Sequence, residues 1–203
     1  MVYEIFNERK KAAIKKLFEA IEKNEVDLPI KDILIELNKY DLVYSTSSCA
    51  GRIALLVDKG SKKDSYFIAK WHDTVSFQEV VKELKKDINH ELIWFKQEPF
   101  IIHLVFPKMK YALEVVRIAR DVGFKHSGII SAKKEKIVVE VTGLDRIDFP
   151  IVINSELTIS LENFSKILDL ANSKLIRNKM LRNKFFEKLF EYFKSAGFKK
   201  SEH

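Results

Sequence analysis

The sequence predicts an α+β fold: a mixed, mainly antiparallel sheet built from hairpins, with flanking helices and a long basic helix at the C-terminus. Three observations predict it. Runs rich in β-branched and aromatic residues come in closely spaced pairs joined by short polar loops, as hairpins do. Stretches with apolar residues three and four apart lie at the two ends and between the pairs, instead of alternating one for one with strands. The six glycines, at 51, 60, 123, 128, 143 and 197, include no trio with dinucleotide-fingerprint spacing, so a Rossmann fold has no support. With 203 residues, 46% of them apolar, the chain can fill a real core and reads as a single domain over residues 1–203.

Phe6, Ala13, Leu17 and Ile21, with Ile14 and Phe18 beside them, mark an amphipathic helix over Glu4 to Lys23. Pro29 suits the first turn of a second helix, whose buried face is Ile33, Leu34 and Leu37. Leu42 to Tyr44 reads as a short strand entering Ser45 to Gly51, which has the chemistry of a loop. Arg52 to Asp58 and Ser65 to Trp71 form a hairpin across the polar residues Lys59 to Asp64. Ser76 caps a helix ending at Asp87, with Glu79 completing a capping box. Glu91 to Lys96 and Phe100 to Phe106 are strands separated at Pro99, which forces Glu98 into an extended conformation. A helix from Lys108 to Asp121 stops at Gly123. His126 to Ser131 and Lys136 to Thr142 pair as a hairpin, Ile151 to Asn154 adds a short strand, and Leu161 to Ser195 is one long helix.

Composition narrows the function. No apolar run approaches the roughly 20 residues of a membrane-spanning helix, and the first ten residues are charged too early for a secretory signal, so a cytoplasmic protein is expected, with no membrane partner. One cysteine, Cys49, allows no internal disulfide and leaves no zinc-finger or iron–sulfur signature; no metal is expected. Gly123 to Gly128 has the first spacing of a phosphate loop but continues into Ile129-Ile130, which excludes P-loop hydrolysis. The formal net charge of +7 is concentrated at the C-terminus, where residues 174–200 hold nine Lys or Arg against two Glu. On the long helix Ile167, Ala171, Leu175, Leu181, Phe185, Leu189 and Phe193 form the buried stripe. Lys174, Arg177, Lys179, Arg182, Lys184 and Lys188 are left mostly outward, a face that attracts phosphates when few acids are near. A merely solvated basic surface is the plain alternative.

Four polar constellations carry the candidate chemistry. Tyr44-Ser45-Thr46-Ser47-Ser48-Cys49-Ala50-Gly51-Arg52 offers hydroxyls, backbone N–H groups, a glycine for close approach and a guanidinium that can clamp a carboxylate or phosphate. Lys70-Trp71-His72-Asp73 presents a flat aromatic face beside a group that titrates near neutrality. Glu98-Pro99-Phe100-Ile101-Ile102-His103 puts a histidine within an apolar strand, where a core role competes with catalysis. Gly123-Phe124-Lys125-His126-Ser127-Gly128-Ile129 reads equally as a helix stop or a binding turn. Cys49 with His72 or His103 would also serve a Cys–His hydrolase or, with two histidines, a metal site, although neither has a local signature.

Taken in order, these four motifs resemble those of the tRNA wybutosine-synthesising protein 3 family, in its archaeal form. The similarity runs on through Ala171-Asn172-Ser173-Lys174-Leu175 and Asn178, and departs from the family at Ala50, where a serine is usual. The resemblance implies a fold unlike that of the usual methyltransferases. It also implies an S-adenosylmethionine-dependent enzyme that methylates N-4 of the 7-aminocarboxypropyl-demethylwyosine-type base beside the anticodon of tRNA-Phe. On that basis the four motifs are expected to line one hollow. Ser45, Ser47, Ser48, Cys49, Gly51, Arg52, Lys70, Trp71, His126 and Ser127 would bind cofactor or substrate, and His72, Glu98 or His103 would take the proton of the methylated nitrogen. Lys174, Arg177, Lys179, Arg182 and Lys184 would seat the anticodon arm. A non-catalytic RNA-binding module is the main competing reading, and the oligomeric state is left open.

Overall fold

The computed structural model describes residues 2–61, 63–86 and 90–200. Lys62 of the expected hairpin loop and Asp87 at the expected end of the third helix lie outside the described residues. The elements follow in the order α1 (Val2–Glu22), α2 (Leu28–Asn38), β1 (Tyr44–Cys49), β2 (Arg52–Val57), β3 (Tyr66–Trp71), α3 (Phe77–Lys86), β4 (Leu92–Glu98), β5 (Ile101–Phe106), α4 (Met109–Val122), β6 (Gly128–Lys133), β7 (Lys136–Thr142), β8 (Ile147–Ile153), β9 (Glu156–Leu157) and α5 (Leu161–Ser195). The α+β class, the hairpins and the long C-terminal helix are as the sequence predicts. Every strand pair is antiparallel, and the strands divide between two sheets instead of joining one.

Local chemistry accounts for the element ends. Pro29 stands in the first turn of α2. At the start of α3 the Glu79 N–H donates to Ser76 Oγ over 3.3 Å and the Ser76 N–H donates back to Glu79 Oε2 over 3.0 Å, a reciprocal cap. Gly123 closes α4 at φ 127°, a backbone angle that a side chain would strain. Asn154 and Ser155, at φ 51° and 63°, make the tight turn from β8 to β9. The main departure is at residues 45–49, expected as loop and found as strand β1. Serines hydrogen-bond their own backbone in isolation, but here the neighbouring β5 supplies ladder partners and overrides that preference.

The chain forms two compact units. The first comprises residues 1–50, 100–144 and 180–203. Its sheet runs β1-β5-β7-β6. One face, carrying Ile102, Leu104, Phe106, Val139 and Val141, packs with α2, α4 and the second half of α5, including Phe185, Leu189 and Phe193. The opposite face carries Tyr44, Val105 and Val138, which α1 covers with Phe6 and Ala13. Phe193 stacks on Phe198 at 4.5 Å, and Asp41 N–H donates to Lys199 O over 2.8 Å, which ties down the segment after α5.

The second unit comprises residues 51–99 and 145–179. Its sheet runs β3-β2-β4-β8-β9. Ile53, Leu55, Phe95 and Val152 form a core with Val80 and Leu84 of α3 and with Phe164, Leu168, Ala171 and Leu175 of α5. Asn172 joins α5 to the segment before α3, accepting from Val75 N–H over 3.0 Å and donating to Val75 O over 2.9 Å. Among the described residues no helix is long and apolar enough to cross a membrane.

Candidate functional site

In the first unit the site begins with an irregularity in β1. Ser45 pairs with Leu104 and Ser48 with Ile102, so Thr46 and Ser47 together face the single residue His103. This bulge re-aims the chain. It brings Ser47 Oγ to 2.8 Å from His103 Nδ1, while His103 Nε2 lies 2.8 Å from Glu140 Oε2. Glu140 is the direct cross-strand partner of His103 on β7. A carboxylate only accepts, so Nε2 carries the hydrogen, and in the neutral ring Nδ1 accepts from the Ser47 hydroxyl. Both residues lie two positions from the α1-facing Val105 and Val138, on the same face of the sheet, so His103 is directed away from the main core of its unit. Hydroxyl, imidazole and carboxylate bonded in that order can draw a proton from the hydroxyl side towards the ring.

The bulge is held at both ends. Asn38, itself buried, donates from Nδ2 to Ser45 Oγ over 2.8 Å and accepts the Ser45 N–H over 3.0 Å. Asp27 accepts the Ala50 N–H over 2.8 Å. Ser45 is therefore buried and engaged in holding the strand, whereas Thr46 and Ser47 are exposed and Ser48 and Cys49 half-buried. Beside them a cleft of about 580 Å³ opens between α1, α2 and β1. Burial raises the Tyr44 phenol pKa there, and nearby Arg9 partly offsets the rise. In the Gly123–Ile129 turn His126 is exposed but Ser127 is fully buried. Its hydroxyl accepts the Thr142 N–H over 3.2 Å, and its carbonyl accepts from Arg120 Nε over 3.0 Å.

In the second unit Arg52 and Glu98 are direct cross-strand partners on β2 and β4, with Nε donating to Oε2 over 2.7 Å. The guanidinium carbon lies 4.6 Å from the Phe67 ring centre, and Lys70 Nζ lies 5.0 Å from the same ring. Arg52, Phe67 and Glu98 border a second cleft, of about 470 Å³. Gly51, at φ 86°, needs to be glycine, and its carbonyl accepts from His72 Nδ1 over 3.0 Å, which puts the lone pair of the neutral ring on Nε2. Trp71 is half-buried against the core of the unit. Gln97 is fully buried, and neither of its amide atoms has a hydrogen-bond partner among the described residues.

The basic helix differs from expectation. Arg182 points inward at 4% exposure and donates from Nη1 to Ala50 O over 3.2 Å. The buried stripe continues Leu175, Asn178, Arg182, Phe185, Leu189, at steps of three and four that pass through 182 and leave Leu181 at the margin. Acids distant in sequence also engage the helix: Asp145 meets Lys174 at 2.9 Å and Arg177 at 3.7 Å, and Asp73 meets Lys179 at 2.7 Å. Lys184 is exposed.

Sequence reasoning missed Glu140, Asn38, Asp27 and Phe67. A trace of Glu140 was legible, as the one acid in the apolar run Ile137 to Val141. Among the described residues no three His, Cys, Asp or Glu side chains gather as a metal ion would require.

Residues 8–191 match the family model described as Methyltransferase TYW3. The chain is 34% identical over 176 residues to a Thermococcus sibiricus protein named tRNA(Phe) 7-((3-amino-3-carboxypropyl)-4-demethylwyosine(37)-N(4))-methyltransferase, covering 86% of this chain and 89% of that one. It is 34% identical over 178 residues to a Pyrococcus horikoshii protein of the same name, numbered 1, covering 87% and 90%. The solved structure of the PH1069 protein from Pyrococcus horikoshii superposes with a TM-score of 0.84 at 32% identity, covering 93% of this chain and 98% of that one. The resemblance carried by the four motifs is thus borne out over nearly the whole length: the chain belongs to the TYW3 methyltransferase family.

Proposed function

We propose that this protein transfers a methyl group from S-adenosylmethionine to N-4 of the 7-aminocarboxypropyl-demethylwyosine base beside the anticodon of tRNA-Phe, in the cytoplasm, with the whole chain serving as one tRNA-modification module. The observation that carries the reading is identity of 34% across nearly nine-tenths of both chains to proteins named for that reaction.

S-adenosylmethionine, when bound, supplies an electrophilic methyl group on a sulfonium. The side chains present fit its two polar features. The Arg52 bond to Glu98 uses Nε, so the terminal guanidinium nitrogens can bind a carboxylate or an RNA phosphate. Trp71 offers an aromatic surface for the sulfonium or the modified base. Lys70 in the second unit and His126 in the first, both exposed, each offer hydrogen-bond donors.

Ser47, His103 and Glu140 manage the proton. As the ring nitrogen of the base gains its methyl it must lose a hydrogen. Ser47 Oγ accepts that hydrogen while its own passes to His103 Nδ1, and Glu140 steadies the imidazolium that forms. His72 and Glu98 are the alternative acceptors in the second unit. Most of the acceleration comes from holding the two reactants in line, worth about 7–11 kcal/mol for well-oriented pairs. The test is methyl incorporation from labelled S-adenosylmethionine into tRNA-Phe carrying the N-4-unmethylated precursor. Incorporation into that tRNA and none into fully modified tRNA is expected; no incorporation, together with no heat on titration with S-adenosylmethionine, would leave an RNA-binding module instead.

A further inference from the structure

We propose that the cleft between α1 and β1 is a phosphate site that grips the sugar–phosphate backbone of the RNA substrate through Arg9, Lys16 and Lys136. The inference rests on the tRNA reading above and assigns a part of that contact to residues outside all four motifs.

Arg9 and Lys16 stand seven residues apart on α1, which is two turns and about 10 Å along one side of the helix. Lys136, at the start of β7, enters the same cleft. Ala12, Ala13 and Ala20 line the α1 wall, and their short side chains leave the hollow open between the cations. On the opposite wall β1 contributes Thr46 and Ser48, whose hydroxyls donate well to phosphate oxygens, while the Ser47 hydrogen is already given to His103. Among the described residues Glu25 is the one acid lining the cleft, against three cations, so its field favours an anion.

Pairing and burial separate this cleft from the basic helix at every expected position except the exposed Lys184. Lys174, Arg177 and Lys179 are matched by Asp145 and Asp73, and Arg182 is buried. Among the described residues no carboxylate pairs with Arg9, Lys16 or Lys136 within 4.0 Å. Cations that already have acids release little on meeting RNA, whereas unmatched ones exchange their condensed counterions for phosphates. The cleft also includes Ser47, the hydroxyl of the proton relay, so a phosphate held here lies next to the reacting part of the site.

The test compares the full-length protein with the triple variant Arg9→Gln, Lys16→Gln, Lys136→Gln. An anticodon-arm RNA hairpin is titrated at several salt concentrations, and S-adenosylmethionine binding is followed by calorimetry. At about 0.7 counterion per single-strand phosphate contact, the slope of log affinity against log salt should fall by about 2 in the triple variant. Cofactor heat should stay unchanged. Lys16→Glu, a single change on an exposed helix position, should weaken RNA binding in the same direction and guards against a folding defect. An unchanged salt slope overturns the proposal, as does lost cofactor binding with RNA affinity intact, which would make the cleft the cofactor's. Failure of methyl incorporation by the wild-type protein would instead sink the proposed function, and the salt slopes would still be readable.

Discussion

Glu140→Gln tests the proton relay most directly. The amide oxygen of glutamine still accepts the His103 Nε2–H, so ring position and tautomer are kept and only the negative charge is removed. His103 and Glu140 are 25% and 29% exposed, with 2.8 Å between the bonded atoms. Charges about 4 Å apart attract by about 4 kcal/mol at an effective dielectric near 20 and about 1 kcal/mol in water. Partial exposure puts this pair towards the lower end, about 1–2 kcal/mol, which as transition-state energy is roughly a ten-fold loss of rate. The carboxylate acts only when the ring is charged, so the loss should appear in single-turnover methyl transfer at saturating cofactor and tRNA, with both binding affinities unchanged. Glu140→Ala, which also removes the hydrogen-bond acceptor, should fall further. A Glu140→Gln rate within about two-fold of wild type would refute the claim that His103 becomes charged during the reaction.

Two further predictions concern stability. Lys10 is 8% exposed, donates to the Tyr40 carbonyl, and is pushed by burial down to about 8 from the usual 10.5, with Asp41 partly opposing the fall. Because the unfolded chain keeps this proton between pH 8 and 10.5 and the folded protein sheds it, stability should rise with pH through that window, the same sense as for a carboxylate with a lowered pKa but in an alkaline range. Urea denaturation at pH 7 and pH 9.5 should show wild type gaining about 2 kcal/mol more than Lys10→Met, and parallel changes in the two proteins would deny the linkage. Arg182→Met should cost about 1–3 kcal/mol by leaving the Ala50 carbonyl without its donor, yet leave the salt dependence of RNA binding as it was. Lost RNA affinity at full stability would instead return Arg182 to the RNA-binding surface.

The elements themselves were legible because the information that makes them is local. Phe6, Ala13 and Leu17 at helical spacing, Pro29 in a first turn, Ser76 with Glu79, and Gly123 after an amphipathic run each state an element or its end within a few residues. The run 45–49 was misread for a related reason. Its serine-rich composition favours turns, and only a partner 52 to 59 residues later in the chain makes it a strand.

The family, the antiparallel hairpin architecture and the absence of a dinucleotide fingerprint were thus settled by the amino-acid order alone. The contacts of the candidate site were decided by tertiary structure. His103 meets Ser47 across 56 positions and Glu140 across 37, and no periodicity specifies which residues of two strands stand opposite one another until the register is set. Arg182 shows the same limit on a helix: a rotation of one position separates an outward cation from a buried one, and packing of α5 against its own unit fixes that rotation. Composition counts charges, but only the fold shows which of them already have partners.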